Sequence, residues 1–217
     1  MQSSQPSAAS PPVPVFAEPT PLGLLGLAVG CAALLPIAFG QALTPAAFRT
    51  AAMYCLLFGG GCQFLAGMMA LVNKNLLGGT LFTTFAFNWV INWHVLSGLS
   101  EGRLPDPTVA LSIDLCFAVI FVVLTFAFGF YSKLLFAFLL DIDVLFGCRI
   151  AKELTHSAAF AMPIALATVL LGLIALYLAF AILLNTAAGR TILTIPGPLF
   201  SPTLPESVPP SGDSTHT

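Results

Sequence analysis

The chain reads as an all-α membrane protein, six transmembrane helices in a bundle with disordered N- and C-terminal tails. Three observations predict it. Of 217 residues, 58% are apolar and only 7% charged, with a mean hydropathy of +0.97, whereas soluble domains carry about a quarter charged residues. The apolar residues gather into six runs, most of them near the roughly 20 residues that cross a hydrocarbon core. The two ends are instead rich in Pro and Ser and too poor in apolar surface to fold alone. The organisation is therefore a tail at 1–21, a membrane domain at 22–195 and a tail at 196–217.

Several function classes are disfavoured at once. A formal net charge of −2 with no basic cluster gives a nucleic-acid backbone nothing to bind. The five cysteines are odd in number and scattered through apolar runs, where a thiol behaves as a small hydrophobe, so no disulfide framework is expected. His94, His156 and His216 have no second ligand at metal spacing. No phosphate-cradling loop and no nucleophile elbow is present. The sequence predicts no enzyme, no cofactor and no metal.

The N-terminal tail lacks the basic region of a secretory signal, so the run at 22–40 is expected to be a retained span. Gly26 and Gly30 give it small-xxx-small spacing for close helix approach. The second span, about 46–73, carries Gly59, Gln63 and Gly67 four apart on one face. A break at 73–79 leads into the third span, about 80–99. A loop at 100–107 with two prolines follows, then a fourth span at 109–131 that is apolar except for Asp114. Ser132 and Lys133 turn the chain into a short fifth span, 134–148, and the sixth occupies 158–185. Six spans place both termini on one side. Lys74, Lys133 and Arg190 then face Arg49, Arg103, Arg149 and Lys152, a division too even for the positive-inside rule to orient.

The polar residues within the spans are the functional candidates. In the third span Thr80, Thr84, Asn88 and Asn92 recur every four residues, which on a helix makes one slowly drifting stripe. In lipid such a stripe must turn toward protein or a water-filled path. One alternative is that it only joins helices by hydrogen bonds. The other is that it lines a solute path, with Phe82, Phe85 and Phe87 as a gate. In the fifth span Asp141 and Asp143 are costly at membrane depth, roughly 2.5–3.5 kcal/mol each on insertion scales. They are either proton-exchanging groups or partners of Arg149 or Lys152 one or two turns on. Asp114 either sits at the membrane interface or pairs with a neighbour. No Lys or Arg falls in the middle of a span, so an anion would be held by amides, hydroxyls and helix ends.

A resemblance to a known family agrees with this reading. The segment Pro19-Thr20-Pro21-Leu22-Gly23-Leu24 resembles the Asn-Pro-Ala-Pro-Leu-Gly-Leu signature of the acetate uptake transporters, the bacterial succinate-acetate permeases and their fungal acetate/ammonia transporter relatives. Gly59-Gly60 with Gln63 and Ala66-Gly67 is similar to that family's second helix. Asn75, Gly78, Thr80, Phe82-Thr83-Thr84 and Trp89 resemble its third. The stretches 175–179 and 189–197 resemble its C-terminal end, and the likeness runs in order from about 19 to 197.

The resemblance implies a six-helix protomer, assembled as a homo-hexamer in the lipid bilayer, with a path for acetate and similar small monocarboxylates that is coupled to protons. Taken together with the polar stripe, it points to a substrate path along Leu22, Gln63, Thr80, Phe82, Thr83, Thr84, Phe85, Asn88 and Asn92, and an opening motif of Pro19, Pro21, Leu22 and Gly23. Asp141 and Asp143 are the candidates for proton coupling, and the plasma membrane is the expected location. The chain also departs from the pattern. Ala17 or Glu18 stands for the first Asn, Ala70 for an acidic residue, Phe85-Ala86 for a Tyr-Gly pair, and Asp141 and Asp143 for hydroxyl residues. Phe85 thus removes a hydroxyl from the expected constriction. The rival readings are an ammonia or small neutral amide channel, and a membrane scaffold or sensor that transports nothing.

Overall fold

A computed structural model describes residues 14–201. The expected tails at 1–13 and 202–217 lie outside the described residues. Helix α1 is Thr20–Ala38, and α2, Pro45–Tyr54, runs on without a break through a π-helical stretch, Cys55–Cys62, into α3, Gln63–Val72. Then come α4, Leu76–Ser100; α5, Pro107–Phe128; and α6, Lys133–Thr155. A short 3-10 turn at Ala158–Phe160 leads into α7, Ala161–Ala188. Among the described residues the structure is entirely helical apart from loops.

The helix starts are written into the sequence. Thr44 accepts the Ala47 N–H at 3.2 Å ahead of Pro45, and Asp106 accepts the Val109 N–H at 2.9 Å ahead of Pro107. Asn75 caps α4 through the Gly78 N–H at 2.9 Å. In each case a short polar side chain satisfies an orphan donor of the first turn. Two bounds differ most from the expectation. Helix α4 begins at Leu76, because Asn75 caps it there. Helix α6 is not short: it continues past Cys148 to Thr155, since Arg149, Lys152 and Glu153 favour helix as well as the apolar run does.

The helices pack α3 on α4, the π-helical stretch on α1 and on α4, α1 on α7, α7 on α6 and α6 on α5. This order nearly closes a ring, whose loosest seam is between α4 and α5. Glycines set the tightest approaches. The Trp89 indole lies against Gly59 and Gly30, where an added Cβ would come within 2.4 and 2.9 Å of the ring. Phe82 fills the equivalent space at Gly23, Thr83 at Gly67 and Leu71 at Gly79. The expected glycine faces of the first two spans are thus contact surfaces. The π-helical turn falls on Gly59-Gly60-Gly61, a run with little preference for regular α-helix.

Four helical rods, Thr20–Ala38, Pro45–Val72, Pro107–Phe128 and Ala158–Ala188, are long and apolar enough to cross a membrane. The remaining two, α4 at 25 residues and α6 at 23, have the length but carry the polar side chains. The described ends of the tails are tied down. The Asn73 amide exchanges two hydrogen bonds with the Phe16 backbone, at 2.9 and 3.0 Å. Thr20 and Pro21 already belong to α1. Past Gly189 the chain doubles back, and Asn185 holds the backbone of Ile192 and Leu193. The Ser132 hydroxyl donates to the Pro196 carbonyl at 2.7 Å, and the Lys133 N–H to Gly197 at 2.9 Å. The Phe200 ring rests on Gly129 among Phe126, Phe130 and Phe136. Residues 196–201 therefore form a hydrogen-bonded strap anchored by the Phe200 ring, although their composition reads as tail.

Candidate vestibule

A cavity of about 110 Å³ opens among α1, α4, α6 and α7. Asn88 and Asn92 of α4, Arg149 of α6 and Thr168 of α7 supply its polar groups, and Cys31, Phe85, Trp89 and Phe146 are among its apolar walls. The Asn92 amide donates to the Asn88 carbonyl oxygen at 3.4 Å, so each holds the other's orientation. The Thr168 hydroxyl is turned to its own helix, donating to the Ile164 carbonyl at 2.9 Å. At roughly 30 Å³ per water, the space holds about three to four waters or one small organic acid.

Beyond this vestibule the ring interior is filled by aromatics. Phe85 meets Phe121 edge-on with ring centroids 5.2 Å apart, which bridges the loose seam between α4 and α5. Phe121 stacks on Phe146 at 5.4 Å, and Phe117 stacks on both. Phe121 and Phe146 are at most 1% exposed. The expected gate of Phe82, Phe85 and Phe87 is corrected accordingly. Phe87 is 58% exposed on the outer face beside Phe64, and Phe82 packs into the Gly23 gap. Phe85 keeps its inward place, with Phe121 and Phe146 as its companions.

Only half of the polar stripe reaches the cavity. Residues four apart on a helix advance by about 40° per step, so Thr80 and Asn92 differ by about 120°. Asn88 and Asn92 line the vestibule, while Thr80 and Thr84 are half-buried elsewhere. The Thr83 hydroxyl donates to Gly79 at 2.7 Å, and its methyl group fills the Gly67 gap, so Thr83 serves the α3–α4 contact. Gln63 is buried with its Oε1 unpartnered. Pro19, Pro21 and Gly23 are buried at the start of α1, and Leu22 is 39% exposed on its outside.

The carboxylates divide in an unforeseen way. Asp114 on α5 pairs with Arg149 on α6 through two contacts, Nη2 to Oδ1 at 2.8 Å and Nε to Oδ2 at 3.0 Å. Of the two expectations for Asp114, pairing is the one realised. Asp141 and Asp143 therefore do not hold Arg149. Asp143 accepts the Thr125 hydroxyl of α5 at 2.6 Å, and its other oxygen is buried without a partner. Asp141, buried on a different side of α6, likewise has an unpartnered oxygen.

Sequence reasoning left Arg149 out of the site and expected no cation on the path. A signal was present: Ile142, Leu145, Phe146 and Arg149 follow the i, i+3, i+4, i+7 pattern of one helix face, and all four line the vestibule. The guanidinium carbon sits 5.3 Å from the Phe146 ring centroid, which steadies its plane. A larger cavity of about 440 Å³ lies in the corner of α1 and α2, but its walls are nearly all apolar and offer a solute little to bind.

The arrangement defines a class: a helical membrane bundle with a polar pocket set against an aromatic plug. Within that class, the GPR1/FUN34/yaaH family model matches residues 1–198, and the chain belongs to this family. It also shares its fold with a solved structure described as the bacterial acetate channel SatP. The TM-score is 0.75 at 24% sequence identity, over 83% of this chain and 99% of that one. No match was found among curated proteins.

Proposed function

We propose that the chain is a transmembrane conduit for acetate and similar small monocarboxylates, coupled to protons. The observation that carries this reading is the vestibule, in which two inward amides and a guanidinium stand before the Phe85–Phe121–Phe146 plug. A pocket of this size suits a two- or three-carbon acid, and its groups are hydrogen-bond donors that a carboxylate can use. The fold shared with a bacterial acetate channel supports the same cargo. The aromatic plug would gate by size and dewetting.

On this reading α1, the α2–α3 rod, α4, α5, α6 and α7 each cross the bilayer, giving six spans with the termini on one side. The lengths of α4 and α6 suit a crossing, and the polar groups Asn88 and Asp141 along them are buried in the bundle. The path runs through the vestibule at Phe85, Asn88 and Asn92, with the opening motif of Pro19, Pro21, Leu22 and Gly23 at the start of α1, while Phe82 and Thr83 serve helix contacts. Asp141 and Asp143 are the proton-exchanging candidates, because each keeps a buried oxygen free of partners. Assembly as a hexamer and placement in the plasma membrane follow from the family resemblance alone.

One observation favours a second reading. Asp114 neutralises Arg149, so the vestibule as a whole is close to uncharged, which would also suit ammonia or a short amide. A single experiment separates the two. Protein in liposomes should take up labelled acetate against an inside-alkaline gradient faster than empty liposomes do. Ammonia conductance without acetate uptake would replace the first reading by the second.

A further inference from the structure

Arg149 carries five N–H donors. Asp114 takes one on Nε and one on Nη2, and among the described residues no other acceptor takes the rest. The side chain is 31% exposed and borders the vestibule, whereas Asp114 stands behind it at 12%. We propose that Arg149 docks the carboxylate of the substrate, and that Asp114 is a built-in competitor that keeps this docking weak. The inference rests on the conduit reading and names the binding group within it.

The physics runs from charge and geometry. A lone guanidinium in a half-dry pocket would grip a carboxylate with paired charge-assisted hydrogen bonds. Conduction needs the opposite, binding strong enough for the solute to enter and weak enough for it to leave. Asp114 cancels most of the field while leaving donors on the open edge. Phe146 steadies the guanidinium plane, and the Asn88 and Asn92 amides stand in the same pocket to receive the second carboxylate oxygen. A neutral isostere fits the same space but gains nothing from the guanidinium charge.

The test uses the full-length protein in nanodiscs. Trp93→Phe leaves Trp89, in the pocket wall, as the single indole of a chain with two. Its fluorescence is titrated with sodium acetate and with acetamide. Asp114→Asn should tighten acetate binding about tenfold, leave acetamide unchanged and slow acetate release from vesicles. The double variant Asp114→Asn/Arg149→Gln removes both charges and leaves neither buried alone; it should weaken acetate about tenfold relative to the parent and spare acetamide. An Asp114→Asn protein that binds acetate no more tightly than the parent would overturn the proposal, as would a double variant that binds it equally well. If Asp114→Asn alone does not fold, the double variant decides. Fluorescence needs no transport, so Arg149-dependent binding without vesicle flux would remove the conduit and keep the site. Flux with Arg149-independent binding would do the reverse.

Discussion

The α3–α4 and α5–α6 contacts are held by different means. Between α3 and α4 the fit is steric: Thr83 enters the gap at Gly67 and Leu71 the gap at Gly79, and the Thr83 hydroxyl is satisfied by its own helix. Between α5 and α6 the links are polar, Asp114 to Arg149 and Thr125 to Asp143. An interlock of backbone and methyl groups has no alternative partner, so it makes a fixed wall. A hydrogen bond or ion pair can exchange its partner for a solute group. One of these polar links, Asp114 to Arg149, reaches the vestibule wall through Arg149, whereas the α3–α4 interlock contributes no polar group from α3 to it.

Substitutions can break or sharpen this contrast. The largest effect is expected from Gly67→Leu. A Cβ there already falls 2.6 Å from the Thr83 methyl carbon and 2.8 Å from its backbone nitrogen. A full Leu should cost at least about 3 kcal/mol and abolish monodisperse expression in detergent. Next is Thr125→Val, which strips Asp143 of its one side-chain partner among the described residues and should lower stability by roughly 1 kcal/mol, read by thermal unfolding in detergent. The same change at Thr83 sharpens the point. Thr83→Val keeps the methyl group in the Gly67 gap and loses only an intrahelical bond, so it should stay within about 0.5 kcal/mol of the parent. The smallest effect on flux belongs to the C-terminal strap. Phe200→Ala removes a ring packed on Gly129, outside the vestibule, and should lower the unfolding temperature slightly while leaving acetate uptake unchanged.

Much of this molecule was legible in its residues, and what was not has physical reasons. Helix positions followed from apolar run length, and the glycine faces from their spacing. Asn88 and Asn92 were readable as inward because amides do not face lipid. Thr80 and Thr84 miss the cavity that Asn88 and Asn92 line, because a four-residue stripe drifts around the helix and which part of it meets a cavity depends on neighbours that periodicity does not specify. Arg149 was missed because it lies beyond the apolar run taken as its span, while the helix continues to Thr155. Its partner Asp114 is 35 residues away in the chain, a distance over which local pattern carries no information. The strap at 196–201 hides for a similar reason: Pro and Ser look like tail until Ser132 and Gly129 supply acceptors, donors and a flat surface.

The most direct test of the central claim is acetate flux through protein carrying Asn88→Leu and Asn92→Leu, reconstituted beside the parent at matched amounts. Leucine shares the branching and heavy-atom count of asparagine and suits a membrane helix, so folding and assembly should persist. The account predicts uptake no faster than in empty liposomes. Parental uptake by the correctly folded double variant would contradict it, and would place the solute path somewhere other than the Asn88–Asn92 vestibule.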